Sequence, residues 1–176
     1  DHGNGRRPVV RAWWTQDARP CVTRFIPYEI REKMGTRVHG CDVCQEVCAR
    51  NSAKLQANLA EDPFLVKLAE EFSLPKMLEM SDCFYEKTVR PIMYNYIKDK
   101  KYFQRNAAIA LGNTGDPDHI PLLSQAMENP EALMRGYAAW ALGRISGRKA
   151  KSILESRLQR EDSEYVKTEI EAALAI

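Results

Sequence analysis

Residues 39 to 51 read His-Gly-Cys-Asp-Val-Cys-Gln-Glu-Val-Cys-Ala-Arg-Asn, and three of the five cysteines fall among them. Cys41, Cys44 and Cys48 are spaced C-x2-C-x3-C, with a fourth cysteine, Cys21, upstream. Thiolates are soft donors suited to zinc and to iron–sulfur clusters. A gap of two residues lets one tight turn aim two sulfurs at a single centre. A gap of three turns the next sulfur elsewhere, because residues around a helical turn do not all converge. Gly40, just before Cys41, would let the backbone approach such a centre closely. Five thiols, an odd number, argue for metal ligands or reduced cysteines over a disulfide framework.

The same spacing forms the last three cysteines of C-x2-C-x2-C-x3-C-P, the run that holds clusters in bacterial ferredoxins. In two-cluster proteins the final cysteine of that run ligates the other cluster. Here the leading position is Val38, and Ala49 stands where proline is usual. Zinc is the rival occupant: Cys21, Cys41 and Cys44 with either Cys48 or His39 would make a tetrahedral set. No glycine loop cradles phosphate, and no nucleophile sits beside a base. Cys83, among Met80, Phe84 and Tyr85, reads as a buried core thiol. His2 and His119 read as surface residues.

The elements that must position these thiolates are mostly helical. Residues 1 to 20 are polar and turn-rich, with Val9 to Thr15 as a short strand and Trp13-Trp14 as packing anchors. The chain has no initiator methionine and reads as a fragment of a longer protein. Pro27 opens a short helix from Tyr28 to Met34, closed by Gly35. From Ser52 onward the pattern is helical. Asp62-Pro63 starts Phe64 to Phe72, Ser73-Leu74-Pro75 starts a brief turn, Ser81-Asp82 caps Cys83 to Val89, and Pro91 begins a new helix to Lys98.

An internal repeat comes next. Ala107-Ala108-Ile109-Ala110-Leu111-Gly112 recurs as Ala138-Ala139-Trp140-Ala141-Leu142-Gly143, offset by 31, and more weakly as Ile170-Glu171-Ala172-Ala173-Leu174, offset by a further 32. Turns at Gly115-Asp116-Pro117 and Ser146-Gly147 lead into second helices, Pro117 to Met127 and Arg148 to Gln159. Helix–turn–helix at this period predicts an α-solenoid. The alanines let first helices approach, Leu111, Leu142 and Leu174 fill the shared core, and the third copy serves as a cap. The expected organisation is a partial ferredoxin-like iron–sulfur segment over 1–51, a helical connector over 52–100 and HEAT-like repeats over 101–176.

A net charge of +2 permits nucleic-acid contact without arguing for it. Two basic clusters lie near repeat turns: Lys98, Lys100, Lys101 and Arg105, then Arg144, Arg148, Lys149 and Lys151. Stacking would align them on one edge, where phosphate contacts would be salt-dependent. The plainer reading is solvated helix ends favoured by the helix dipole. Glu155, Glu161, Asp162, Glu164, Glu169 and Glu171 make the last part acidic, so RNA would avoid it. No apolar run reaches membrane-span length and no secretory leader pattern appears, so a cytoplasmic protein is expected.

Met34-Gly35-x-Arg37-Val38 followed by Gly40-Cys41-Asp42-x-Cys44-Gln45-x-Val47-Cys48-x-x-Asn51 resembles the second ferredoxin motif of the epoxyqueuosine reductase family. Arg105-Asn106-Ala107-Ala108-Ile109-Ala110-Leu111-Gly112-Asn113 and Ala138 to Gly143 resemble that family's terminal HEAT-like repeats, of the phycobilisome-lyase kind. The resemblance implies an oxidoreductase with an N-terminal corrinoid (cobalamin) domain, absent here, and two [4Fe–4S] clusters. Such enzymes reduce the epoxide of a modified nucleoside in the tRNA anticodon. By the resemblance, Cys21, Cys41 and Cys44 ligate one cluster and Cys48 the other, the remaining thiolates coming from an upstream cysteine run. The clusters would pass electrons to cobalt, and the fragment by itself would be non-catalytic, apo or partly loaded. The chain departs from the family at Val22-Thr23-Arg24-Phe25, in a shorter Cys21-to-Cys41 interval, and at Ala49-Arg50, differences that bear on the substrate. The alternative is a HEAT-repeat protein-interaction scaffold whose metal motif is structural or vestigial.

Overall fold

The computed structural model describes residues 25–40, 43–57, 60–92 and 99–176. The strand expected at Val9 to Thr15, the tryptophans within it, His2, Cys21, Cys41 and Lys98 lie outside the described residues. Helices make up the regular structure, and no strand occurs among the described residues.

The first part is a series of short helices. Pro27 caps α1 (Tyr28–Arg31) from outside, one position earlier than expected. The helix tightens into a 3-10 turn, Glu32–Met34, and ends at Gly35 with φ 58°. Next come α2 (Val43–Glu46) and α3 (Ser52–Gln56). Asp62 caps α4 (Pro63–Glu71), its carboxylate accepting from the Phe64 amide at 2.8 Å. After α5 (Leu74–Leu78), Ser81 caps α6 (Asp82–Phe84) in the same way, at 3.1 Å.

Two expectations fail here. Pro91 does not begin a new helix: a π turn, Tyr85–Val89, carries the helical run into α7 (Arg90–Ile92), with Pro91 inside it, and the remainder of the expected helix, 93–98, lies outside the described residues. The Arg90 amide donates to the Tyr85 carbonyl, five residues back. That widened turn accommodates a ring that would otherwise clash with the preceding carbonyl. Cys83 is exposed, not buried. Met80 and Tyr85 take the core positions at 3% and 4% exposure, and the helical turn between them leaves Cys83 outside.

The repeats are α8 (Lys100–Thr114), α9 (Ile120–Ala126, preceded by the 3-10 turn Pro117–His119), α10 (Ala132–Ile145), α11 (Arg148–Leu158) and α12 (Glu164–Leu174). The first helices stack, with α10 between α8 and α12. The second helices α9 and α11 pack against α10, and α11 also against α12. Close stacking is written into two glycines. A Cβ on Gly112 would stand 2.8 Å from the Ala141 Cα, and one on Gly143 would stand 2.6 Å from the Ala173 Cβ. Both distances are shorter than any carbon–carbon contact tolerates. Leu111 and Leu142 are fully buried, and Leu174 packs half-buried at the end. HEAT-like stacking is therefore as expected.

Arg105 departs from the surface position its charge suggests. Every residue from Phe103 to Gly112 is buried, so this part of α8 has no solvent face to offer it. Its guanidinium lies 5.2 Å from the Tyr102 ring, and its Nε donates to Asn106 Oδ1 at 3.1 Å.

Candidate functional site

The segment before the cysteines is laid across the first helices of all three repeats. Arg31, 1% exposed, reaches into α12 and donates two bonds to the Glu169 carboxylate, both 2.7 Å. Its Nε donates to the Ile26 carbonyl at 2.9 Å, and its guanidinium lies 4.2 Å over Tyr28 and 4.5 Å over Tyr137. The Tyr28 hydroxyl donates to Glu169 at 2.8 Å. Burial, with that carboxylate alongside, pushes the Tyr28 hydroxyl up to about 12. The Ile26 amide donates to the Tyr137 hydroxyl. Glu32 pairs with Arg144 of α10 at 2.8 Å.

Two asparagines of α8 hold the backbone between α1 and the cysteines. Asn113 Nδ2 donates to the carbonyls of Arg31 at 2.8 Å and Gly35 at 2.9 Å. Asn106 Nδ2 donates to the Val38 carbonyl at 2.9 Å. The His39 ring packs 5.5 Å from the Phe103 ring, and burial lowers its pKa, favouring the neutral imidazole.

Beyond this anchorage, Cys44 is an exposed residue of α2 and Cys48 comes after it, half-buried. Asn51 closes the turn: its amide donates to the Cys48 carbonyl at 2.9 Å and its side chain to Gln45 Oε1 at 2.6 Å. Among the described residues no three His, Cys, Asp or Glu side chains converge on one point. His39, packed on Phe103, is engaged with the platform.

The basic residues divide by their surroundings. Lys100 pairs with Asp82 at 2.7 Å and Lys101 with Asp99 at 3.0 Å. Arg144, at the C-terminal end of α10, pairs with Glu32 in the place a helix dipole favours for a cation. Arg148, Lys149 and Lys151 are exposed in the first turn of α11, where the dipole is already positive. No ion pair to them occurs among the described residues.

Two of the terminal acids are not surface groups. Glu169 is held by Arg31. Glu161, 4% exposed, accepts from Arg135 at 2.7 and 2.8 Å and from Arg157 at 2.8 and 2.9 Å. Bonding to Arg135, with further help from the Ser163 amide and Arg157, holds its carboxyl down at about 2. The partners lie 26 and 138 residues away for Arg135 and Arg31, so nothing local in the sequence marks either acid as buried.

Known proteins match this arrangement. Residues 92–175 match the family model for HEAT repeats. An epoxyqueuosine reductase of Bacillus anthracis is 35% identical over 91% of this chain and 43% of its own length. A Geobacillus stearothermophilus protein described as uncharacterized, in the gldA 3'region, is 35% identical over 88% of this chain and 74% of its own. The crystal structure of epoxyqueuosine reductase with a tRNA-Tyr epoxyqueuosine-modified tRNA stem loop has a TM-score of 0.69 at 35% identity, covering 86% of this chain and 40% of that one. The Streptococcus thermophilus epoxyqueuosine reductase structure has a TM-score of 0.65 at 26% identity, with the same coverage. The chain spans less than half the length of the reductases it matches, 43% for the Bacillus anthracis protein. Its stacked repeats and the cysteine-bearing segment laid across them share that likeness, and the chain belongs to the epoxyqueuosine reductase-like family.

Proposed function

We propose that this chain is the part of an epoxyqueuosine reductase-like oxidoreductase that carries cluster-ligand cysteines on a tRNA-facing repeat platform. In this reading Cys21, Cys41 and Cys44 contribute to one [4Fe–4S] cluster and Cys48 to a second. The other ligands come from a further cysteine run in a longer polypeptide. Bound clusters supply single-electron transfer, with a corrinoid as acceptor in the whole enzyme. The chain's own residues do the positioning: α2 presents Cys44, the Asn51 bonds close the turn around Cys48, and Arg31 ties the segment to α12.

The observation that carries the RNA side is the first turn of α11. Arg148, Lys149 and Lys151 gather there with backbone N–H groups that point the same positive end outward. Such a turn suits phosphate, and a relative solved with a tRNA stem loop supports the reading. Lys100, Lys101 and Arg144 join it only where phosphate displaces their carboxylate partners. Arg105 stays out of contact. The test is binding of an anticodon stem loop across a salt series. Replacing Arg148, Lys149 and Lys151 with glutamine should weaken binding and flatten the log–log salt slope by about 2 to 3. An unchanged affinity and slope would defeat the assignment.

The second reading, a protein-interaction scaffold, is favoured by α4, whose Phe64 and Leu65 are 68% and 59% exposed. Tight, salt-insensitive capture of a protein partner by that helix, with no stem-loop binding, would support it.

A further inference from the structure

The repeat offsets make positions 106, 137 and 169 equivalent, and likewise 113 and 144. The residues differ: Asn106, Tyr137 and Glu169 in one row, Asn113 and Arg144 in the other. All five nevertheless grip the same stretch, residues 26–38. The first-helix faces thus act as one track, with a different side chain at each rung for a different feature of the segment. Tyr137, Glu169 and Arg144 hold its beginning and middle. Asn106 and Asn113 hold its backbone from Arg31 to Val38, the part that leads into the cysteines.

The two asparagines are seven residues apart, two turns of α8, and so lie on one face. Asn106 has a fixed orientation: its Oδ1 accepts from Arg105 Nε, which leaves its amide hydrogens for Val38. Asn113 bridges two carbonyls with one nitrogen. Among the described residues, the backbone bonds donated from residues 35 to 40 are Gly35 to the Glu32 carbonyl and Arg37 to the Met34 carbonyl, the second at 3.4 Å. Backbone carbonyls drawn partly out of water need donors from somewhere, and here α8 supplies them.

We propose that Asn106 and Asn113 are positioning residues for the cysteine turn: by anchoring residues 31–38, the repeat domain sets where Cys44 and Cys48 stand. This rests on the reading of those cysteines as cluster ligands. It adds that the repeats are a ruler for the redox segment as well as a docking platform, and it gives the Arg105-to-Asn113 motif a role at its two asparagines.

The test uses the chain itself, reduced and metal-free, as N106D, N113D and the double variant. Aspartate keeps the shape, and in N106D keeps the acceptor for Arg105, while removing the donors. Two readouts are taken: peptide-level hydrogen exchange, and the iodoacetamide alkylation rates of Cys48 and Cys83. In the double variant, exchange in residues 32–40 should accelerate at least tenfold and Cys48 alkylation several-fold, toward the rate of exposed Cys83. Cys83 and α11 should not change. Folded variants with unchanged exchange and unchanged Cys48 reactivity overturn the proposal. So does acceleration spread evenly over α8 to α12, which marks a purely structural role. If the double variant does not fold, the unmodified chain decides. Residues 32–37 must then be protected together with α8, and exchange at the rate of an open peptide overturns the proposal. No iron enters the assay, so a failure of the cluster reading leaves this result standing, and the reverse also holds.

Discussion

The Arg31–Glu169 pair ties the segment before Cys44 and Cys48 to the last repeat helix, and its removal should be costly. Glu169→Gln keeps the side-chain shape and deletes the charge. Arg31 is 1% exposed, Glu169 is 4% exposed, and both carboxylate oxygens accept from the guanidinium at 2.7 Å. Breaking one side of a buried pair leaves an uncompensated charge and costs about 3–5 kcal/mol. The amide can still accept one bond, and bonds to charged groups contribute about 1.5–3 kcal/mol each. The expected loss is therefore about 1–3 kcal/mol, read from urea unfolding by circular dichroism. Trp140, 4% exposed with its ring 5.7 Å from the guanidinium carbon, gives a fluorescence signal at the same place. Replacing both partners, Arg31→Met with Glu169→Leu, removes the charge together with its counter-charge. That double variant should lose less than the two single changes added, by about 2 kcal/mol or more. A coupling below about 0.5 kcal/mol would mean the pair behaves as a solvated surface contact and would refute the reasoning.

The same packing and pairing set further expectations. Gly143→Ala raises helix propensity by about 1 kcal/mol, yet should lower the melting temperature, because overpacking costs about 1–3 kcal/mol and the Ala173 Cβ would be 2.6 Å away. A rise in melting temperature would show that α10 and α12 separate freely. Glu161 has its pKa depressed to about 2, so its contribution is fully present above the unfolded carboxylate value and is lost as pH falls toward 2. That contribution is about 3 kcal/mol, and Glu161→Gln should flatten acid unfolding below pH 4.5, a change absent if the carboxylate is solvated. Tyr28 is raised in the folded state, so the stability from its neutral form persists below pH 10 and is lost as pH rises through about 12. Ultraviolet titration of Tyr28→Phe against the parent should lose one late-titrating phenol, and loss of an ordinary one would contradict the hydroxyl's place beside Glu169. Cys83 should alkylate without denaturant.

The repeat was legible because its signal is compositional and periodic. Alanine and glycine at fixed offsets mean helices in close contact, and Gly112 and Gly143 fall where neighbouring first helices leave no room for a Cβ. Caps at Asp62 and Ser81 were equally legible, being local chemistry. The features that stayed hidden depend on partners distant in the chain. Glu161, Glu169 and Arg105 look like surface charges by type, and only the fold reveals the arginines, amide oxygen and rings that meet them. Pro91 broke a rule that a π turn relaxes. Cys83 has apolar neighbours in the sequence, but Met80 and Tyr85 occupy the core face and turn it outward. For the basic clusters, residue type gave the charge. The polarity of the helix end, which sets Arg148, Lys149 and Lys151 apart from Arg144, needed the helix boundaries.

Whether these cysteines serve iron–sulfur chemistry is decided by anaerobic reconstitution with ferrous iron and sulfide. Iron, acid-labile sulfide and zinc are then counted per chain in the parent and in Cys44→Ser. The expected result is iron and sulfide in equal amounts, short of two full clusters, and largely lost in Cys44→Ser. Tight zinc without sulfide, or the same iron uptake after the substitution, would contradict it.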